Sequence, residues 1–548
     1  MKKKNAKTPK AEPVYPCPKC GKRMCKNSPA GSGKQRWICR DRKEHENAYC
    51  YSTTNPGSGR VNTQSGRDSQ PAARAKRLVR SVQNATRFLV TSAQNATPEH
   101  EGFVSALEAA RKYYGEATTE IIVVPTRYKN PTSRWTESQE NAEWWAPRLV
   151  PYLYNQRKKL NKNLVLLGDI KTRPTAESPL QGFETITHGE SGILGHNKLQ
   201  LRVIPTPQNR LPKILTTTGA CTVPNYTDSK AGKKGEFHHI LGAVMVELEG
   251  KRFHLRQINA KSDGSFMDLD REFRPDGTVV QKAFSLGLVM GDTHVRFIDP
   301  KVERATFGPG GIIEALNPNV LVYHDLLDGY SVNPHHRRNA DPFLEQAKFQ
   351  ADMQNVRDEV IEAINFVVDR TAERESVVVS SNHTDFLRRW LIDIDWRKDP
   401  RNAEFYLQMA LHLVRNAKMT PHGAEYPDPF AYWMEQFLGE PPDTCISCIG
   451  KDESFMLADI ECGFHGDHGP NGAKGTMSNL AKLGVKIIDG HSHTPGIEHG
   501  HYRVGTSTAL KAEYTQGPSS WLNTHCLVYS NGKRSLINII DDHWRLEE

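Results

Sequence analysis

The sequence contains no long hydrophobic run. Its 548 residues are 37% hydrophobic and 25% charged, the mean hydropathy is −0.61, and nowhere do the roughly 18 consecutive apolar residues that span a bilayer occur. A transmembrane protein is thereby excluded from the sequence. The Met1-Lys2-Lys3-Lys4 start has no apolar segment behind it, so it lacks the core of a secretory signal and action in a cytoplasm is expected. Acidic residues are scarce at the N-terminal end. Residues 1–80 hold 20 Lys+Arg against 5 Asp+Glu, a net +15, so with +9 on the whole chain the remaining 468 residues carry −6. Such a block is either a solvated tail or an electrostatic footprint for nucleic acid. At about 100 to 200 residues per domain, the length suits three or so domains.

Five of the ten cysteines, Cys17, Cys20, Cys25, Cys39 and Cys50, fall in the first 50 residues. Without a secretory signal, metal binding is the stronger expectation than disulfide bonding. Cys17-Pro18-Lys19-Cys20-Gly21 has the form of a zinc knuckle, in which a tight turn aims two thiolates at one ion. Cys39 follows a strand-like stretch, Gln35-Arg36-Trp37-Ile38, and is the natural third ligand. For the fourth, Cys50 in the strand-like Ala48-Tyr49-Cys50-Tyr51 is preferred over His45, leaving Cys25 spare. The segment resembles the zinc ribbons at the front of transposases and other DNA-handling proteins, although it lacks a second Cys-x-x-Cys. Residues 1–53 are read as a basic zinc-ribbon-like module with one structural Zn²⁺. Residues 54–80, rich in Gly, Ser, Asn, Gln and Arg, are read as a flexible basic linker.

From residue 81 the pattern becomes globular. Strands are expected at 87–91 and 121–124, with a helix between them carrying Phe103, Leu107, Ala110 and Tyr114. A further helix is expected around 142–159, a strand at 164–167, and a hairpin of 243–248 and 253–255 about Glu249-Gly250-Lys251. Asp169, His188, His196, His238 and His239 match no metal-ligand spacing and are read as ordinary surface or core residues. Residues 81–280 are read as an accessory α/β domain.

The remainder, 281–548, carries the chemistry. Five apolar, strand-like runs each end in polar groups: 286–290 before Gly291-Asp292-Thr293-His294, 319–323 before His324-Asp325-Leu326-Leu327-Asp328, 376–379 before Ser380-Ser381-Asn382-His383, 455–460 before Gly463-Phe464-His465, and 485–488 before Gly490-His491-Ser492-His493. A lone histidine after a strand means little. Five buried strands delivering ligands at their C-terminal ends describe a site. Asp341-Pro342 reads as a helix N-cap and first turn, followed by a long amphipathic crossover helix through Val368. The turn Ser530-Asn531-Gly532-Lys533 marks a closing hairpin. Cys445 and Cys448 have no complementary pair at ribbon spacing and are read as buried thiols.

This ordered set, Asp-x-His, Asp-x-x-Asp, Asn-His, His and Gly-His-x-His, resembles the calcineurin-like metallophosphoesterases, a superfamily that includes nucleases of the SbcD type. The resemblance implies a two-sheet sandwich flanked by helices, with two divalent ions. Asp292, His294 and His493 would hold one ion and Asn382, His465 and His491 the other, with Asp325 bridging. His468 rivals His465, which is favoured because it comes directly off the strand. In the family, the histidine after the asparagine assists the leaving oxygen and the second aspartate orients it; here these are His383 and Asp328. The seven ligands are O or N donors, which suits Mn²⁺ first, then Mg²⁺ or Fe.

Together the basic front end and the metal motifs favour a DNA partner and a metal-dependent deoxyribonuclease. The whole chain also resembles the pre-early host-DNA-degrading proteins of Tequintavirus-type bacteriophages, which implies action in the infected bacterial cytoplasm with little sequence preference. A homo-oligomer with no membrane partner is expected. The alternatives are a metal-dependent phosphomonoesterase or nucleotidase, and a non-catalytic DNA-binding host-takeover protein.

Overall fold

The computed structural model describes residues 85–127, 144–207, 210–339, 341–371, 374–439, 445–512 and 515–546, together with three short strands nearer the N-terminus. The chain divides into two compact units, Met1–Pro71 and Ala72–Glu548. In the first, β1 (Cys25–Asn27), β2 (Arg36–Cys39) and β3 (Tyr49–Ser52) form an antiparallel sheet in that order. Ile38 pairs with both Cys25 and Cys50, and Cys39 with Tyr49. Cys17, Cys20, His45 and the linker 54–80 lie outside the described residues.

The second unit is α/β. Its earlier strands are β4 (Arg87–Gln94), β5 (Thr119–Thr126), β6 (Arg157–Lys159), β7 (Leu164–Leu167), β8 (Ser191–Leu194), β9 (Leu201–Ile204), β10 (Lys213–Thr217), β11 (Gly242–Glu249) and β12 (Arg252–Asn259). A small sheet of β13 (Phe266–Asp268), β14 (Arg271–Phe273) and β15 (Val279–Gln281) follows. The later strands are β16 (Ser285–Val289), β17 (Val320–Tyr323), β18 (Glu375–Val379), β21 (Ile446–Ile449), β22 (Met456–Leu457), β23 (Ile460–Glu461), β24 (Lys486–Asp489), β25 (Gly496–Glu498), β26 (His501–Arg503), β27 (Thr524–Tyr529) and β28 (Arg534–Asn538). A short hairpin, β19 (Lys418–Thr420) with β20 (Gly423–Glu425), lies between β18 and β21.

One sheet has the order β22-β23-β24-β26-β25-β9-β10-β8-β7-β6, so strands from either side of residue 280 share it. Two further sheets, β12-β11-β4-β5 and β21-β18-β17-β16-β27-β28, meet edge to edge at β12 and β28. There the Gln257 amide donates to Ser535 Oγ and the Leu536 amide donates to Gln257 Oε1, at 3.1 and 2.8 Å. Val90, Ile122 and Val244, Val289, Val322 and Val528, and Leu164, Ile193 and Ile488 belong to one buried cluster, which therefore lies between these layers. Strands such as Val320-Leu321-Val322-Tyr323 are buried throughout, as expected where a parallel sheet is covered on both faces. Each such aliphatic side chain contributes roughly 1.5–3 kcal/mol. A second cluster joins the outer face of this sheet to the helices, through Leu321, Tyr323, Ile364, Val367 and Trp390.

Both layers read the same from either end. β4 pairs with β5 and β16 with β17 in parallel; β8 with β10 and β24 with β26 likewise; β9 with β10 and β25 with β26 are antiparallel. At the centre Ile497 pairs with Leu201 across the antiparallel β25 and β9. Isolated bridges repeat as well: Ser92 to Ala220 and Glu99 to Thr222 in the first half, Asp292 to Thr506 and Ile298 to Thr508 in the second. The unit is an internal duplication. The second half adds β18, β21 and the helices between Pro334 and Leu438.

Three local expectations differ. Within 144–159 there is no α-helix but a 3₁₀ turn, Pro147–Tyr152, and then β6, because Pro147 and Pro151 supply no amide donor. The crossover segment is two helices, Pro342–Gln350 and Val356–Thr371, broken where Asp352 turns to φ +55°; Asp341 does cap the first, accepting from the Phe343 and Leu344 amides. The stretch 455–460 is a tight antiparallel pair, β22 and β23, turning at Ala458 with φ +55°. Among the described residues no helix is long and apolar enough to cross a membrane.

Candidate metal centre

β16, β17 and β18 run parallel, as do β23 and β24, so the loops that leave them open on a common end of the sheets. Asp292 and His294 follow β16, Asp325 follows β17, Asn382 and His383 follow β18, His465 follows β23, and His491 and His493 follow β24. Four of these residues hold left-handed backbone: His294 at φ +43°, Asp325 at +43°, His491 at +71° and His493 at +56°. Side-chain-bearing residues rarely adopt this region, and its strain concentrates where a site demands a particular aim.

The side chains converge. His294 Nε2 lies 3.0 Å from His493 Nε2 and 3.6 Å from Asp325 Oδ2. His493 Nε2 lies 3.4 Å from Asp292 Oδ2. On the other side, His465 Nε2 is 3.1 Å from Asp325 Oδ2 and 3.1 Å from Asn382 Oδ1, which is itself 2.9 Å from His491 Nδ1. Among the described residues the groups able to hold a metal ion are His294–Asp325–His493, His294–Asp328–His383 and Asp325–His465–His491. Asp325 thus belongs to a group on each side. His468 stands apart, exposed and paired with Asp467 at 2.8 Å.

The residues fit cations. Asp292 is fully buried, and among the described residues no side chain donates a hydrogen bond to its carboxylate, which the His491 backbone eases. Burial and the neighbouring Asp325 carboxylate push its pKa up. Burial also opposes charge on Asp325, but His465 and His383 hold that carboxyl well below its ordinary range. Two buried carboxyls facing bare imidazole nitrogens are an arrangement a divalent ion relieves. A Cβ at Gly490 would overlap Asp292 Oδ1, so glycine is needed for this approach.

His383 and Asp328 sit beside the cluster. The Asp328 carboxylate contacts His294 Nδ1 at 2.9 Å, and its backbone carbonyl accepts from His383 Nδ1. The latter bond leaves His383 Nε2 as the free nitrogen. Burial lowers the His383 pKa.

Sequence reasoning missed several supports. The Trp521 ring packs edge-on against His493 at 4.2 Å. Lys451 bridges Asp385 and Asp467, tying the start of the helix after β18 to the loop after β23. His525 accepts from the Gly291 amide at 2.9 Å and fixes the loop carrying Asp292. No local motif signals these contacts, which join residues more than ten positions apart. The thiol expectation needs correction. Cys445 is exposed, being the residue before an edge strand, and Cys448 is half-buried with its thiol 3.3 Å from Met434 Sδ. Asp169 pairs with Arg157 at 3.3 Å; His196 and His239 bond to the carbonyls of Arg173 and Thr222 at 3.0 and 2.9 Å; none of the five middle-region residues joins a metal-binding group among the described residues.

The molecule is accordingly an α/β protein with a buried His/Asp cluster, able to hold a metal ion, at the ends of its sheets. No family model matches the sequence, and no solved structure matches the fold. The chain is 32% identical over 472 residues to Protein A1 of Escherichia phage T5, covering 83% of this chain and 82% of that protein. It belongs to the Protein A1 family.

Proposed function

We propose that this chain is a two-metal deoxyribonuclease of the metallophosphoesterase type, hydrolysing DNA phosphodiester bonds with little sequence preference. The observation that carries the reading is the position of Asp325 in two ligand groups at once, with His294 and His493 on one side and His465 and His491 on the other. Asp292, His294 and His493 would hold one ion and Asn382, His465 and His491 the second, Asp325 touching both, with Mn²⁺ the first choice and Mg²⁺ or Fe possible for an O and N donor set. Two divalent ions so held would supply charge neutralisation at the phosphoryl oxygens and would acidify a water nucleophile. His383, anchored through Nδ1 on the Asp328 carbonyl, offers Nε2 to carry a proton to the departing oxygen. Asp328 positions His294 through its carboxylate.

DNA is favoured over a small ester by the +15 front end, whose phosphate contacts would be sequence-independent. A structural Zn²⁺ on Cys17, Cys20, Cys39 and Cys50 belongs to the same reading. Membership of a phage T5 protein family supports a role in phage takeover of the host, and in this reading that role is degradation of host DNA in the bacterial cytoplasm early in infection. The test is a comparison of substrates: linear duplex, closed-circular duplex and a small phosphomonoester, each with Mn²⁺, Mg²⁺ or EDTA. Metal-dependent cutting of DNA supports the reading, and cutting of the closed circle makes the enzyme an endonuclease. Hydrolysis of the monoester with DNA left intact replaces it with a phosphatase.

A further inference from the structure

The duplication gives most residues of the metal centre a counterpart in the first half; Asn382 and His383 have none, because they follow β18, which the first half lacks. Register across the shared sheet sets Leu194 against Asp489, so Gly195-His196-Asn197-Lys198 corresponds to Gly490-His491-Ser492-His493. By the same register Asp169 corresponds to His465 and Ser92 to Asp292. Pro125 corresponds to Asp325, since the Asn95 amide donates to the Thr126 carbonyl as the Val295 amide does to that of Leu326. The first half therefore has proline where the second has Asp325, and lysine where it has His493.

Of these counterparts, Lys198 lines a cavity. About 330 Å³ of open space lies over the end of β8, lined among others by Lys198, Lys230, Lys234, His238 and Glu177. Lys198 is 5% exposed, and its ammonium donates to the Glu177 carbonyl, which accounts for one of three N–H donors. Lys234 pairs with the Glu177 carboxylate at 3.3 Å. Three lysines thus line the cavity with Glu177, Glu498 being a second carboxylate near Lys198, and the His499 ring, from the turn between β25 and β26, lies 5.0 Å from His238. Burying an ammonium without a full counter-charge is unfavourable, and an anion in the cavity would offset that cost. A lysine cluster suits phosphate, for which it supplies point charges.

We propose that this cavity is a metal-free phosphate pocket that grips the polynucleotide backbone away from the cutting site. The proposal rests on the nuclease reading. A duplex cut at the second half's centre would leave flanking phosphates for the first half to hold, and such a contact adds affinity without sequence preference.

The test uses the full chain and three variants. Lys230 and Lys234 are exposed, so Lys230→Gln with Lys234→Gln preserves the fold; Glu177→Gln removes the opposing charge; Lys198→Gln probes the buried site. Binding of a short DNA duplex is measured by anisotropy in EDTA at salt from about 50 to 200 mM, with Mn²⁺-dependent hydrolysis of a small phosphodiester as the control. The double lysine variant is expected to bind several-fold more weakly, with the slope of log K against log salt reduced by about one for each phosphate no longer neutralised. Glu177→Gln should bind more tightly, a direction that mere structural damage does not produce, and small-ester hydrolysis should be unchanged. Wild-type affinity and salt slope in the double variant overturn the pocket while leaving the nuclease reading intact. A wild-type protein that neither binds nor cuts DNA overturns both.

Discussion

The Nε2 atoms of His294 and His493 face each other at 3.0 Å inside a buried cluster. Two neutral imidazoles in that geometry share at most one hydrogen, whereas a divalent ion accepts both lone pairs. Mn²⁺ should therefore raise the melting temperature of the metal-stripped protein, since a ligand at 100 times its Kd adds about 2.7 kcal/mol. His294→Ala should abolish most of that rise. Differential scanning calorimetry with and without EDTA checks this; equal melting points would remove the metal centre.

Gly490→Ala inserts a Cβ onto Asp292 Oδ1. The protein should fold, with an unchanged far-ultraviolet circular dichroism spectrum, but bind Mn²⁺ at least about 10-fold more weakly, because ligand aim and not only ligand identity sets affinity. Titration calorimetry reads the change. Wild-type affinity would mean that Asp292 is not a ligand.

His383→Ala should separate chemistry from binding. Loss of a positioned proton carrier costs about 10² to 10⁴ in turnover, while the metal-induced rise in melting temperature should persist, because the ring is tied to the Asp328 carbonyl and is not needed in the two ligand sets. Single-turnover cleavage and melting curves on the same preparation decide it. A variant with full turnover has no need of His383 Nε2.

These expectations show what the sequence makes legible. Asp292, Asp325, His465 and His491 stand out because each ends an apolar run, and burial of the strands forces the ends together. The duplication is invisible at that level, since Ser92, Pro125 and Lys198 share no chemistry with Asp292, Asp325 and His493; only strand register relates them. Trp521 and Lys451 are equally silent, because their partners are set by tertiary contact. The break at Asp352 escapes a periodicity argument, as the apolar spacing continues on either side of it.

Outside the metal centre, Arg256 sits between Glu247 and Asp268 at 2.6 and 2.7 Å, all three buried. Burial opposes charge on Glu247, but Arg256 dominates and lowers its pKa to about 2. A carboxyl depressed in the folded state stabilises above its unfolded pKa of about 4.3 and loses that contribution as pH falls toward 2. Glu247→Gln should cost about 3–5 kcal/mol near neutrality, where it leaves Arg256 partly unpaired. The gap to wild type should shrink between pH 4 and 2. Urea midpoints across that range test the sign, and a gap that widens on acidification contradicts it.

On the proposed reading, Asp325 is required for DNA cutting because both ligand groups meet at its carboxylate. Degradation of duplex DNA by purified wild-type and Asp325→Asn protein, in Mn²⁺ and in EDTA, tests it most directly. The wild type should cut in Mn²⁺ alone, with the variant reduced to the level of the EDTA control. Cutting by the variant at the wild-type rate, or by the wild type in EDTA, would contradict it.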